Sequence, residues 1–258
     1  MDLQIKDQLF LVGGATAGFG NATARALIAE GAKVIAVARN AENLSAFQAE
    51  FPDQIEAING DITEGDIISE IVRLIGERRL SGIFVNAGGP PAKAALDTTM
   101  EDWDLAWFTV ARWKIDLVMR LMPKLRAQKY GRIVFVESVS VKQPIAHLVL
   151  SNAMRLAVVG FAKTLAQEVG QEGITVNVMA PGYHNTQAVK RVLQKQSEAT
   201  EKTYEEIQAR IEKNIPVARM GQPEEFASLA AWLLSPQSAY ITGQTISVDG
   251  GVMAGVFG

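Results

Sequence analysis

Short apolar runs alternate with longer mixed stretches along the chain. The first run, Gln8-Leu-Phe-Leu-Val12, meets Gly13 and Gly14, and an alanine-rich segment then closes at Glu30-Gly31. This order predicts strand, turn and helix, with Gly31 at the helix C-terminal cap. Lys33-Val-Ile-Ala-Val-Ala38 predicts a second buried strand, and further strand candidates fall at 55–59, 82–86, 132–137, 174–180 and 245–248. The intervals between them are long enough for helices, so the pattern predicts an α/β fold: a parallel sheet with helices on both faces. Two of these helices, Leu105 to Leu125 and Met154 to Val169, are apolar around much of their circumference. One face of each covers the sheet, and the surplus predicts a homo-oligomer with these helices at an interface. The stretch from Phe226 to Val248 carries no charge, but Ser235-Pro-Gln-Ser238 and Gly243 break it. It reads as helix, turn and strand, and not as a membrane span.

No linker or repeat divides the 258 residues, which predicts a single domain over 1–258. Residues 185–215, crowded with Gln, Lys and Glu, read either as a helical lid over a substrate site or as a solvated surface helix. A net charge of -3 argues against nucleic acid and membrane surfaces as partners and leaves small molecules. The absence of cysteine removes disulfides, thiolate metal sites and a cysteine nucleophile, and no metal is expected. The first residues, Met1-Asp-Leu-Gln-Ile-Lys6, lack the basic and apolar regions of a secretory signal, so the expected location is cytoplasmic.

Gly13-Gly14-Ala15-Thr16-Ala17-Gly18-Phe19-Gly20 sits between the first strand and the first helix. Glycines there let the backbone approach a pyrophosphate, and the helix N-terminus beyond offers free N–H groups and a positive dipole end. The second strand ends in Val37-Ala38-Arg39-Asn40, where a dinucleotide fold holds the adenosine ribose. No acid stands there to bind a free 2′-hydroxyl. Arg39 suits a 2′-phosphate, which favours NADP(H) and leaves NAD(H) as the alternative.

The spacing Gly14, Gly18, Gly20 resembles the glycine motif of the short-chain dehydrogenase/reductase family. Asp61-Ile62 resembles the family's adenine contact, Asn86-Ala87-Gly88 its turn after strand four, and Pro181-Gly182 with Thr186 the segment holding the nicotinamide end. Ile215-Pro216, Gly221-Gln-Pro-Glu-Glu225, Thr242-Gly-Gln244 and Val248-Asp-Gly-Gly251 resemble its usual ending. The resemblance covers almost the whole chain and is nearest to the 3-oxoacyl carrier-protein reductase branch. It implies a Rossmann-type doubly wound parallel sheet of about seven strands, a nicotinamide cofactor across its carboxyl edge, hydride transfer between carbonyl and alcohol, and a tetramer or dimer.

The family's Ser-Tyr-Lys machinery is only partly present. Its serine falls on Ser138, whereas its tyrosine position is Ser151, its lysine position Arg155, and its helper Asn falls near Thr109-Val110. Arginine stays protonated and a serine hydroxyl is far less acidic than a phenol, so neither copies Tyr-Lys acid chemistry. Their four-residue step still sets Ser151 and Arg155 on one helix face. Ser138 is expected to hydrogen-bond the substrate oxygen, and Arg155 to supply fixed charge there and hold the nicotinamide ribose. His147, with an ordinary pKa near 6.5, or water is the candidate proton source, with Lys142 and Tyr183 in neighbouring loops. Two other functions stay open: a non-redox enzyme on the same fold, as in the halohydrin dehalogenases, and a nucleotide-binding protein with little catalysis.

Overall fold

The central strands of the sheet bury side chains on both faces, which is why their sequences are largely apolar runs and not alternations. In β1 (Leu9–Gly13), Leu9 and Leu11 enter one core while Phe10 and Val12 enter the other. The remaining strands are β2 (Lys33–Ala38), β3 (Ile55–Asn59), β4 (Gly82–Val85), β5 (Gly131–Val136), β6 (Ile174–Pro181) and β7 (Thr245–Val248). All pair in parallel, in the order β3-β2-β1-β4-β5-β6-β7, as the doubly wound expectation requires. The computed structural model describes residues 2–198 and 200–256.

One face of the sheet is covered by α3 (Gly65–Ile75), α5 (Trp113–Ala127) and α6 (Val149–Val169), whose Ile71, Leu117, Leu121, Val158 and Leu165 join Leu11, Ile83, Ile133 and Val176. The other carries α1 (Gly18–Ala29), α2 (Ala41–Glu50) and α9 (Pro223–Leu234), whose Leu27, Phe47, Phe226 and Ala230 meet Phe10, Val34, Phe84 and Val134. Strand order reverses between β1 and its two neighbours, β2 and β4. This opens a crevice beyond the carboxyl ends of the strands, where such folds bind ligands.

Two helices depart from the sequence reading in ways that bear on the site. The apolar stretch 105–125 is not one regular helix: α4 (Met100–Ala106) passes through a π-helical segment, Trp107–Arg112, into α5. Thr109 Oγ1 donates to Leu105 O at 2.7 Å, and the Trp113 indole donates to Thr109 O at 3.0 Å, so side chains take up backbone acceptors across the irregular turns. Apolar periodicity does not register the one-residue insertion that makes a π-turn. The second helix, α6, starts at Val149 and not near Met154, which puts Ser151 inside its first turn. Asn152 Nδ2 donates to Ile145 O at 2.9 Å and ties the preceding loop to that turn.

Residues 185–215 form two helices, α7 (Gln187–Glu198) and α8 (Tyr204–Lys213). Leu193, Ile207, Ile215 and Met220 make a small core of their own beneath them. Thr203 and Glu206 satisfy each other's backbone N–H groups at the start of α8, as a capping box does.

Candidate functional site

A cleft of about 490 Å³ lies along the carboxyl ends of β1, β2 and β4. Of the residues expected to hold a dinucleotide, Gly14, Thr16, Ala17, Arg39, Asn40, Asp61, Ile62, Ala87 and Gly88 line it. Gly14 has φ +65°, and a side chain there would bring its Cβ to 2.8 Å from Asn86 Nδ2, so glycine is needed for both backbone and space. Asn86 in turn donates from Nδ2 to Gly13 O at 3.0 Å, locking the turns after β1 and β4 together.

The first turn of α1 contains Gly18, Phe19 and Gly20, and its N-cap, Ala17, has no side chain able to accept from them. Their N–H groups are the donors a helix start presents to a phosphate. The Phe19 ring itself turns away into the core, 4.2 Å from the Phe226 ring centroid, so Phe19 offers the cleft its backbone and not its side chain. At the adenosine end Arg39 is 77% exposed and lies 3.6 Å from Asp61, a surface pairing weak enough to yield to a phosphate. Asn40 caps α2 by accepting from Asn43 N at 2.7 Å. The cap engages its Oδ1, and its Nδ2 donors remain for a ligand.

At the other end, Pro181 closes β6, and Gly182 N donates to Val248 O at 3.0 Å. Thr186 is buried opposite Gly18 and accepts from Val189 N at 3.3 Å, so it sets the start of α7. Arg191 of α7 lines the cleft.

The residues at the family's serine, tyrosine and lysine positions lie next to this cleft, whose lining includes Gly89 and Leu150. Ser138, two residues beyond the end of β5, accepts through Oγ from Ser140 N at 3.1 Å. Ser151 Oγ accepts from Arg155 Nε at 3.0 Å. Each serine oxygen is therefore already engaged by a protein donor, and each hydroxyl proton remains to be donated. Arg155 Nη1 also donates to the Glu137 carbonyl at 3.1 Å, the peptide that leads into Ser138, so one guanidinium links both serine positions. Gly89, which lines the cleft, faces the same guanidinium, and a Cβ there would stand 2.8 Å from Arg155 Nη2.

His147 is placed differently. It is exposed in the turn before α6 with φ +59°, and among the described residues no hydrogen bond joins it to Ser138, Ser151 or Arg155. Lys142 follows the short turn that Ser138 caps, and Tyr183 is exposed. At the helper-Asn position, Val110 is fully buried while Thr109 lines the cleft.

The sequence reading missed two residues here. The Glu137 carboxylate is completely buried, 2.5 Å from Lys114 Nζ on α5 and 3.1 Å from Arg155 Nη1. Burial pushes the Lys114 ammonium down to about 8, against the pull of Glu137, with Arg155 lowering it further. The available signal was an acid ending an apolar strand and a lysine beside Trp113 at the start of α5, opposite charges that only the fold brings together.

The comparisons with known proteins agree with this geometry. The family described as enoyl-(acyl carrier protein) reductase matches residues 14–253. A putative ketoacyl reductase of the monensin polyketide synthase from Streptomyces virginiae is 34% identical, with 96% of this chain and 98% of that protein covered. The 3-oxoacyl-[acyl-carrier-protein] reductase FabG of Thermotoga maritima is 30% identical, covering 97% of this chain and 100% of that protein. Among solved structures, YwfH, an NADPH-dependent reductase involved in bacilysin biosynthesis, superposes with a TM-score of 0.91 at 26% identity over 97% of this chain and 100% of that one. These relatives span several branches, so the similarity settles the family and not the 3-oxoacyl branch within it. A glycine turn against an uncapped helix, a crevice at the strand reversal and a match over nearly the whole length place this chain among the short-chain dehydrogenase/reductases, in the family described as enoyl-(acyl carrier protein) reductase.

Proposed function

We propose that the chain is an NADP(H)-dependent oxidoreductase interconverting a carbonyl and an alcohol, with Ser138, Ser151 and Arg155 at the reacting oxygen. The observation that carries this reading is the engagement of both serine oxygens by protein donors beside a dinucleotide-shaped cleft. When bound, NADPH supplies the hydride that the carbonyl carbon receives. The hydroxyls of Ser138 and Ser151 donate to the carbonyl oxygen, and the positive charge of Arg155 stabilises the alkoxide that forms. Arginine keeps its proton, so the proton that completes the alcohol comes from water or from His147.

Arg39 favours NADP(H) over NAD(H), and the relative YwfH is itself NADPH-dependent. The ketoacyl and 3-oxoacyl relatives point to a 3-oxoacyl thioester as the substrate class. In this reading α7 and α8 form a lid, with Arg191 on its cleft side. Leu105, Phe108 and Met119, exposed along α4, the π-segment and α5, and Leu156 on α6 supply an apolar surface for a homotetramer or homodimer.

The missing tyrosine and lysine favour one second reading, a nucleotide-binding protein without turnover. Incubation with NADPH and a panel of 3-oxoacyl thioesters and simple ketones separates the two. Oxidation of NADPH coupled to alcohol formation supports the reductase. Tight NADPH binding with no turnover across the panel supports the second reading.

A further inference from the structure

The charge at the site does not end with Arg155. Glu137, fully buried, lies between two cations: Lys114 Nζ at 2.5 Å and Arg155 Nη1 at 3.1 Å. Lys114 also donates to Val136 O at 3.3 Å and is itself 1% exposed. Burying two ionised groups and most of a third is costly, and packed apolar side chains fill such a space at least as well, so fold stability alone does not account for the cluster. Its geometry reaches the site in one line: Lys114 to the Glu137 carboxylate, that carboxylate to Arg155 Nη1, and Arg155 Nε to Ser151 Oγ. Without Lys114, Glu137 would fully neutralise Arg155, and the cluster would present no net charge to a developing alkoxide. With Lys114 protonated the cluster carries a net positive charge.

We propose that Lys114 is a positioning residue of the reaction: acting through Glu137, it holds Arg155 in the orientation that donates to Ser151 and keeps the site net positive. The kinetic arm of this inference rests on the reductase reading above; the structural arm does not. Among the described residues, the charged groups coupled to Lys114 are Glu137 from the end of β5 and Arg155 from α6, and the Trp113 ring lies 5.9 Å from its ammonium. Loss of the Lys114 proton, which burial brings to about pH 8, returns the cluster to neutrality. Reduction should therefore weaken on the alkaline side of that value.

The test uses the full chain with NADP⁺ bound and arginine-selective isotope labelling, with the Arg155 Nε–H signal assigned through Arg155→Lys. Lys114→Met leaves Glu137 with a single counter-charge, so the paired variant Lys114→Met/Glu137→Gln, which buries no unmatched carboxylate, guards against loss of folding. In the folded paired variant the Nε–H proton of Arg155 should exchange roughly tenfold faster or more, since a group released from a fixed hydrogen bond opens to solvent. Turnover should fall by roughly 10²-fold, the scale of a misplaced reacting group. KM should stay within about twofold and the alkaline limb near pH 8 should vanish. Unchanged Arg155 exchange, turnover and alkaline limb in that variant, with only thermal stability altered, overturns the proposal. If neither variant folds, the native chain decides: the Arg155 signal should shift with a midpoint near pH 8, and a flat titration there overturns the proposal. A native chain that reduces no carbonyl removes the reductase reading but leaves the Arg155 measurements able to decide the positioning role.

Discussion

Arg155 donates from Nε to Ser151 Oγ at 3.0 Å, one turn apart on the same face of α6. That bond engages the serine oxygen and leaves its hydroxyl proton free to donate. Ser138 is in the same condition through Ser140 N. Replacing Ser138 with Ala should lower kcat by roughly 10²–10³, the range for removing one oxyanion donor, with little change in cofactor affinity. Ser151→Phe should abolish turnover by filling the space in front of Arg155. Steady-state kinetics beside an NADPH titration checks both, and full activity in Ser151→Phe would place the substrate elsewhere.

The proposed preference for NADP(H) rests on Arg39, whose contact with Asp61 at 3.6 Å is loose and exposed. One charge-assisted phosphate contact is worth about 1.5–3 kcal/mol. Arg39→Ala should therefore weaken NADPH by at least about tenfold while leaving NADH unchanged, as read by fluorescence titration. Equal weakening of both would remove Arg39 from the 2′-phosphate site.

A side chain at Gly89 would press on the tip of Arg155. A Cβ there would stand 2.8 Å from Arg155 Nη2, closer than a carbon and a nitrogen tolerate, and the turn is exposed enough to bear the substitution without loss of core. Gly89→Ala should cut turnover by roughly tenfold or more through displacement of Arg155. Its Tm should stay close to that of the parent.

Lys114 ties stability to pH with a sign opposite to its effect on activity. Its folded pKa is about 8 against an ordinary 10.5, so between those values the unfolded chain holds a proton that the folded chain has released. Unfolding free energy therefore rises with pH across that window. The penalty for a charged, buried Lys114 is fully present below about pH 8 and is gone above the ordinary value, a span of up to about 3 kcal/mol. Chemical denaturation of the parent and of Lys114→Met/Glu137→Gln at pH values on either side should show this rise in the parent alone. A parallel pH dependence in both proteins would mean that Lys114 is not the titrating group.

The strands and the glycine turn were legible because their signals are local. A continuous apolar run marks a strand buried on two faces, and Gly14 to Gly20 sits where a strand feeds a helix. The step from Ser151 to Arg155 was legible for the same reason, since helical periodicity alone puts them on one face. Lys114 and Glu137 were not, because nothing in sequence relates a lysine within a helix to an acid at the end of a strand until α5 packs on the sheet. The π-segment at Trp107–Arg112 was hidden because it leaves the apolar pattern almost unchanged. His147 shows the reverse: sequence order sets it between Ser138 and Ser151, yet the turn before α6 leaves it exposed and bonded to neither.

The most direct measurement follows a hydride. The chain is incubated with NADPH deuterated at the transferring position of nicotinamide C4 and with a 3-oxoacyl thioester, and the product is analysed by mass spectrometry. Deuterium on the carbon that bore the carbonyl, lost in Ser138→Ala and Ser151→Phe in proportion to their turnover, is the expected result. NADPH bound in the cleft with no deuterium in any product, across the thioester and ketone panel, would contradict hydride transfer and leave a protein that holds its cofactor without using it.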